Sequence, residues 1–281
     1  MSSHTPSMRD MLYEAPGPRA RRRIRVWTAV GSVLLLALVV LVLRQFALKG
    51  QFAPRYWAFF LQPTTWAFLG TGFLGTLWAS LAAGALALML GLVLMLGRIN
   101  GPMVVRGVCR VVTDFFRGVP SLLLIYFFFL VLPQYGISMQ PFWMIVLPAG
   151  LAASGVLAEV FRAGVNAVPT GQVEAALSLG MSQRAITFKI VLPQAVRFVI
   201  PTLISQLVVV VKDTTLAYVV SYPDMMQNAR VLVNNYNALV STYLVAAVIY
   251  ILLNYLINKA AALVASRTGV TIMTRSSARP I

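Results

Sequence analysis

From Val26 to Leu43 the chain reads VWTAVGSVLLLALVVLVL, 18 residues without a charge. An apolar helix of that length nearly crosses a hydrocarbon core about 30 Å thick, and a helix satisfies its own backbone there, where water cannot. Apolar stretches of similar character recur along the remaining residues. The class this imposes is an all-α membrane protein, and composition agrees: 59% of residues are hydrophobic, 11% are charged and the mean hydropathy is +0.81.

Six spans are expected. A polar tail, 1–25, leads to a first span over 26–43, and Arg44 follows where a signal peptide would need small residues for cleavage. The stretch Phe52 to Trp66 carries Tyr56, Trp57, Phe59 and Phe60 and reads as an interfacial aromatic belt. Further spans are expected over 70–96, 121–132, 141–158, 198–222 and 239–258, with a polar loop holding Asn228, Asn234, Asn235 and Asn237 before the last of them and the tail 259–281 beyond it. In the second, Gly75, Ala79, Ala83, Ala87 and Gly91 recur every fourth residue, a seam on which another helix can approach closely.

The chain carries 23 Lys+Arg against 7 Asp+Glu. Placed on these spans, 18 of the basic residues fall on the side of the N-terminus and 4 on the other, with Lys212 inside the fifth stretch. The positive-inside rule accounts for that asymmetry without nucleic acid and puts both termini in the cytoplasm. With one cysteine, Cys109, and one histidine, His4, the sequence offers no disulfide, no metal cluster and no nucleophile with a base at readable spacing. A membrane enzyme is therefore disfavoured, and no catalytic or metal residue is expected.

One passage between spans is too polar to cross a bilayer: EAALSLGMSQRAITFKIVLP, Glu174 to Pro193. Glu174, Ala175 and Ala176 begin a short helix, Gly180 suits a left-handed stop, Ser182 can cap a second helix, and Pro193 ends or kinks it. Ala175, Ala176, Leu179, Met181, Ile186 and Phe188 are then either covered by the protein's own spans or offered to a partner.

The spacing of Glu174, Gly180, Ile190, Leu192 and Pro193 resembles the cytoplasmic EAA loop of ABC importer permeases. FRGVPSLLL (116–124), EVFRAGVNAVPTGQVEAA (159–176), LPQAVRFVIP (192–201) and KDTTLAYV (212–219) resemble the polar amino-acid permeases, over a core of 70–258. The N-terminal segment from Met11, with its extra span, looks most like actinobacterial glutamate-uptake permeases. The resemblance implies a type I importer permease fold in a bacterial cell membrane, moving glutamate or another polar amino acid. It implies a coupling helix at Glu174, Ala175, Ala176 and Gly180, braced by Ile190, Leu192 and Pro193. It also implies an ABC ATPase dimer that carries ATP and Mg, a second permease subunit of the same or another kind, and an extracytoplasmic substrate-binding protein; no cofactor is expected on this chain. No glycine is followed by lysine, so a lysine-bearing phosphate loop is missing from the sequence. Leu124, Ser205 and Thr215 stand where many members have Gln, Asn and Ser.

Charges inside apolar runs mark the route to examine. Lys212, Asp213, Thr214 and Thr215 in the fifth stretch, with Arg117 and Glu159 at span ends, are candidates for the substrate path or its gate. Asp114 has the helical spacing to pair with Arg110 and Arg117, as Glu159 has with Arg162. A secondary transporter or channel built on Lys212 and Asp213 is the alternative; it leaves the polar passage at 174–193 unexplained.

Overall fold

A computed structural model describes residues 17–267; the remainder of the two tails, including Met11, lies outside them. Its residues divide at Trp57/Ala58 into two compact units. The first holds helix α1 (Pro18–Leu48), which has Pro at its first turn and no buried residue, and a single turn at Pro54–Tyr56. Helix α1 exceeds the expected span by about two turns on the N-terminal side, because nothing in PRARRRIR breaks a helix once its proline has started it.

The second unit opens with a turn at Ala58–Leu61, whose Phe59 is buried and stacked on Tyr236. Part of the expected belt is thus core. Helix α2 (Pro63–Asn100) follows, then α3 (Met103–Gly118), α4 (Ser121–Tyr126) and α5 (Pro141–Asn166). At about 1.5 Å per residue α2 is roughly 55 Å long, enough to cross the bilayer and stand out at both ends. Ala79, Ala83 and Ala87 of the expected seam are fully buried, mainly against α5, and Gly91 meets Leu157 and Ala158 of the same helix. Small side chains bring the two backbones together, and the centre fills with Ile125, Ile145, Val146 and Val210.

The third span is not the simple helix expected. Helix α3 is amphipathic: Val104, Val108, Val111 and Phe115 lie exposed along one face, with Arg106, Arg110, Asp114 and Arg117 on the opposite face. It bends by 98° into the apolar segment 121–135, so the third crossing is a broken helix pair. Pro120 forces the corner, and the second arm relaxes from α into a π turn at Phe127–Val131 and a 3-10 turn at Leu132–Tyr135. Counting the bent pair, the described residues hold up to six spans.

Helix α6 (Thr170–Ser178) and α7 (Gln183–Ile186) form the polar passage, and α8 (Leu192–Thr214) continues from α7 through a π turn at Thr187–Val191. Pro193 does not end this helix. The π turn takes up the clash that its ring would otherwise make with the preceding turn. The expected asparagine-rich loop is also corrected: Met225–Tyr236 is helix α9, N-capped by Asp224, before α10 (Leu239–Arg267).

Candidate functional site

At one end of the bundle α6 and α7 meet at Gly180, whose φ of +73° is open to glycine and strained for other residues. Ser182 Oγ accepts the Ala185 N–H at 3.4 Å and starts α7. The two faces of this elbow differ. Ala176 and Ile186 are buried in a cluster with Val168, Val191 and Ala195, and Thr187 Oγ1 donates to Asn100 Oδ1 at 3.2 Å, fastening the elbow to the end of α2. Leu177, Leu179 and Phe188 point outward, and Leu179 is 82% exposed. Glu174 and Ala175 are exposed, Ile190 and Leu192 are half-buried behind the elbow, and Pro193 is exposed on α8. Half of the apolar set thus anchors the elbow and half remains on its surface. A cavity of about 560 Å³ lies under it, lined by Ile99, Val165, Val173, Glu174, Ile186 and others.

Beside it, charges from three helices converge. Glu159 of α5 accepts Arg98 Nη1 at 2.6 Å and Arg162 Nε at 2.7 Å, while Arg117 stands 3.6 Å away. Asp114 bridges Arg110 at 3.9 Å and Arg117 at 4.0 Å, the loose contacts of exposed pairs. All three local pairs legible in the sequence are present. Arg98 was not legible, since it lies 61 residues from Glu159 and no local spacing joins them.

Arg117 also reaches a second place. Its backbone lies against Gly155, where a Cβ would meet Thr113 O and Arg117 N, so a glycine in α5 lets the α3–α4 corner in. There Arg117, Ser121, Gln206 and Asp213 line a pocket of about 140 Å³ between α5 and α8. The structure thus brings Arg117 together with Glu159 on one side and Asp213 on the other. Lys212 does not join them: it is exposed, and no ion pair within 4.0 Å links it to Asp213 among the described residues. Thr214 is fully buried, donates to Val211 O and faces Ser80 Oγ at 3.1 Å, which makes it a strut between α8 and α2; Thr215 Oγ1 donates to Lys212 O. Gln206 is a lining residue that sequence reasoning missed, a lone amide with no patterned neighbour. Leu124 is buried in the core and Ser205 is hydrogen-bonded to Pro201 O, so neither faces this pocket.

The opposite end of the bundle is closed by a polar clasp. Tyr222 Oη donates to Gly75 O at 3.1 Å, Met225 N to Thr76 Oγ1 at 3.0 Å and Asn228 Nδ2 to Phe68 O at 2.7 Å. Asp224 is fully buried and caps α9 by accepting Gln227 N at 2.7 Å. Burial pushes its carboxyl up to about 6, against the opposing pull of the Gln227 and Met226 N–H groups.

Several bilayer-length helices, an exposed elbow at one end and a small charged pocket between spans have the build of a membrane transport permease. Residues 87–270 match the family described as "Binding-protein-dependent transport system inner membrane component", and the chain belongs to that family. It is 36% identical over 212 residues to the glutamate transport system permease protein GluD of Corynebacterium glutamicum, across 73% of this chain and 77% of that protein. Identity to the probable glutamine ABC transporter permease protein GlnP of Bacillus subtilis is 34% over 199 residues, covering 69% and 91%. A solved structure described as an amino acid ABC transporter with histidines shares the fold with a TM-score of 0.68 at 25% identity, covering 72% of this chain and 94% of that one. The chain is thus a multi-pass ABC permease whose ATPase is a separate subunit, and the secondary-transporter alternative falls away.

Proposed function

We propose that this chain is one of two permease subunits of an ATP-driven importer of polar amino acids, with glutamate the first candidate. The elbow carries the reading: two short helices joined at a left-handed glycine, anchored by Ala176 and Ile186, present Leu177, Leu179 and Phe188 to the outside. That surface suits a groove on an ATPase subunit, which holds ATP and Mg, one ATPase for each permease of the pair. Glu174, Ala175 and Ala176 belong to the docking helix, with Ile190, Leu192 and Pro193 bracing it. The excess of basic residues on the elbow side supports a cytoplasmic elbow and cytoplasmic termini, leaving the Asp224 clasp to face an extracytoplasmic substrate-binding protein. The names of the relatives, glutamate and glutamine permeases, support the substrate class.

Within the spans, Arg117 and Asp213 are the proposed contacts along the substrate route. Glu159 holds Arg98 and Arg162 at hydrogen-bond distance, whereas Arg117 stands 3.6 Å from Glu159 and 4.0 Å from Asp114, in looser contact with both. Lys212 remains a candidate for the gate, acting from its exposed position.

Co-purification tests docking. Wild-type chain should retain the ATPase subunit, and Leu177→Ser with Leu179→Ser should insert normally yet lose it; equal recovery overturns the assignment. Uptake tests the route. In Asp213→Asn or Lys212→Met the complex should keep its ATPase and basal hydrolysis while uptake falls about tenfold, the effect of losing about 1.4 kcal/mol. Normal uptake in both variants removes these residues from the path.

A further inference from the structure

Helix α1 carries a feature that lies outside the proposed substrate route and docking elbow. Arg19, Arg21, Arg22, Arg23 and Arg25 occupy five of seven consecutive positions at its start, all exposed. They belong to the same unbroken helix that continues into the apolar run. We infer that this arginine collar is a binding site for anionic phospholipid headgroups of the adjoining leaflet.

Geometry supports a headgroup rather than a protein groove. Arg19 and Arg25 are six residues apart, about 9 Å along a helix, which is roughly the depth of the headgroup layer outside a core of about 30 Å. From Arg25 to Arg44 the rise is about 28 Å, so the apolar run fills the core and sets the collar at phosphate level. At about 100° per residue the five guanidinium groups cover an arc of roughly 200°, leaving only the strip of Ala20 and Ile24 uncharged. An arc that wide faces several lipids at once.

Charge is equally one-sided. Among the described residues 17–57 there are eight Lys or Arg and no Asp or Glu, and Asp10 and Glu14 of the preceding tail lie outside them. Orientation needs only an excess of positive charge. Guanidinium adds a planar fork that grips a phosphate through two N–H groups, and a helical mount spares the ordering that a loose basic tail would undergo. Clusters of this density beside a span attract anionic lipid, each charge contributing a severalfold preference. The leaflet assigned to the collar rests on the orientation proposed above; the binding chemistry does not.

The test uses the assembled transporter in nanodiscs of equal parts phosphatidylglycerol and phosphatidylcholine, where both leaflets are alike and an error in orientation leaves the result unchanged. After mild delipidation, retained lipid is counted by native mass spectrometry. Phosphatidylglycerol should be enriched about fivefold over phosphatidylcholine in the wild type, and the enrichment should fall when all five arginines are changed to glutamine. Arg106→Gln together with Arg110→Gln, in the other unit, is the control and should change it little. Retention in the bulk ratio, or equal enrichment in the five-glutamine variant, overturns the inference. Should that variant fail to insert, the five-lysine variant decides: it keeps the charge, and the proposed fork contact requires a measurable drop, so unchanged retention overturns the proposal.

Discussion

The two ends of the 58–267 bundle are built on opposite rules. At the elbow, apolar Leu177, Leu179 and Phe188 face outward; at the clasp, polar Asp224, Asn228 and Thr76 face inward. An end that exposes what water rejects is incomplete alone, whereas an end that buries what water would solvate has closed on itself. Helix α2 belongs to both. Its first half supplies Phe68 O, Gly75 O and Thr76 to the clasp, and its last turn supplies Arg98 and Asn100 to the charge cluster and the elbow. Helix α2 is thus one continuous element fastened at both ends.

The largest effect should come from breaking the elbow without unfolding it. No atom lies within 4 Å of a Cβ built on Gly180, so Gly180→Asp meets no clash and costs only backbone strain, of order 1 kcal/mol, at φ +73°. Membrane abundance should stay near wild type while uptake is abolished, because the angle between α6 and α7 shifts and a new charge enters the exposed face. Glu174→Lys should act in the same direction by reversing a charge on that face. Uptake near wild type in both variants would remove the functional half of the contrast between the ends.

Next in size is the charge cluster that joins α2, α3 and α5. Glu159→Gln leaves Arg98, Arg117 and Arg162 around a neutral amide, and a site between a buried and a surface pair, with Arg98 16% and Arg162 40% exposed, should lose about 2–3 kcal/mol. Its readout is abundance and melting temperature in detergent, which should fall together. Arg110→Gln, which touches only the loose and exposed contact to Asp114, should change melting by no more than an exposed pair allows, under about 1 kcal/mol. Equal losses in the two variants would mean that Glu159 is no hub.

What was legible in the sequence follows the same division. Spans, the apolar seam, Gly180 as a left-handed stop and Ser182 as a cap are local properties, written in runs and spacings of a few residues. The i,i+3 pair of Glu159 and Arg162 was legible for that reason, and Arg98 was not. Helix α9 was missed because Asn228, Asn234, Asn235 and Asn237 read as loop chemistry; tertiary bonds override that propensity, with Asn228 buried and its amide on Phe68 O. The break between α3 and α4 was hidden for another reason, since an amphipathic helix beside a span resembles a polar connection when only apolar length is counted. Lys212 and Asp213 are adjacent in sequence, yet neighbours on a helix point about 100° apart, and the structure separates their surroundings accordingly.

The remaining predicted effect, the one most specific to the closed end, depends on pH. A carboxyl held at about 6 instead of 3.8 binds its proton more tightly in the folded protein than in the unfolded one. Folding stability should therefore rise as pH falls from about 6 toward 4, level off below that, and be lowest where Asp224 is ionised in both states. The full displacement corresponds to at most about 3 kcal/mol, and relaxation of the clasp around the charge makes the realised change smaller. Asp224→Asn keeps an oxygen to cap α9 through Gln227 N while removing the titration. Its melting temperature should exceed that of the wild type at pH 7.5, and the gap should close as pH drops through 6 toward 4. Asp224→Ala removes the cap as well, and should lie below the asparagine variant at every pH by about 1 kcal/mol. A wild-type melting curve with the same pH dependence as Asp224→Asn would show that the buried carboxylate does not titrate in this window, and that the clasp carries its charge without cost.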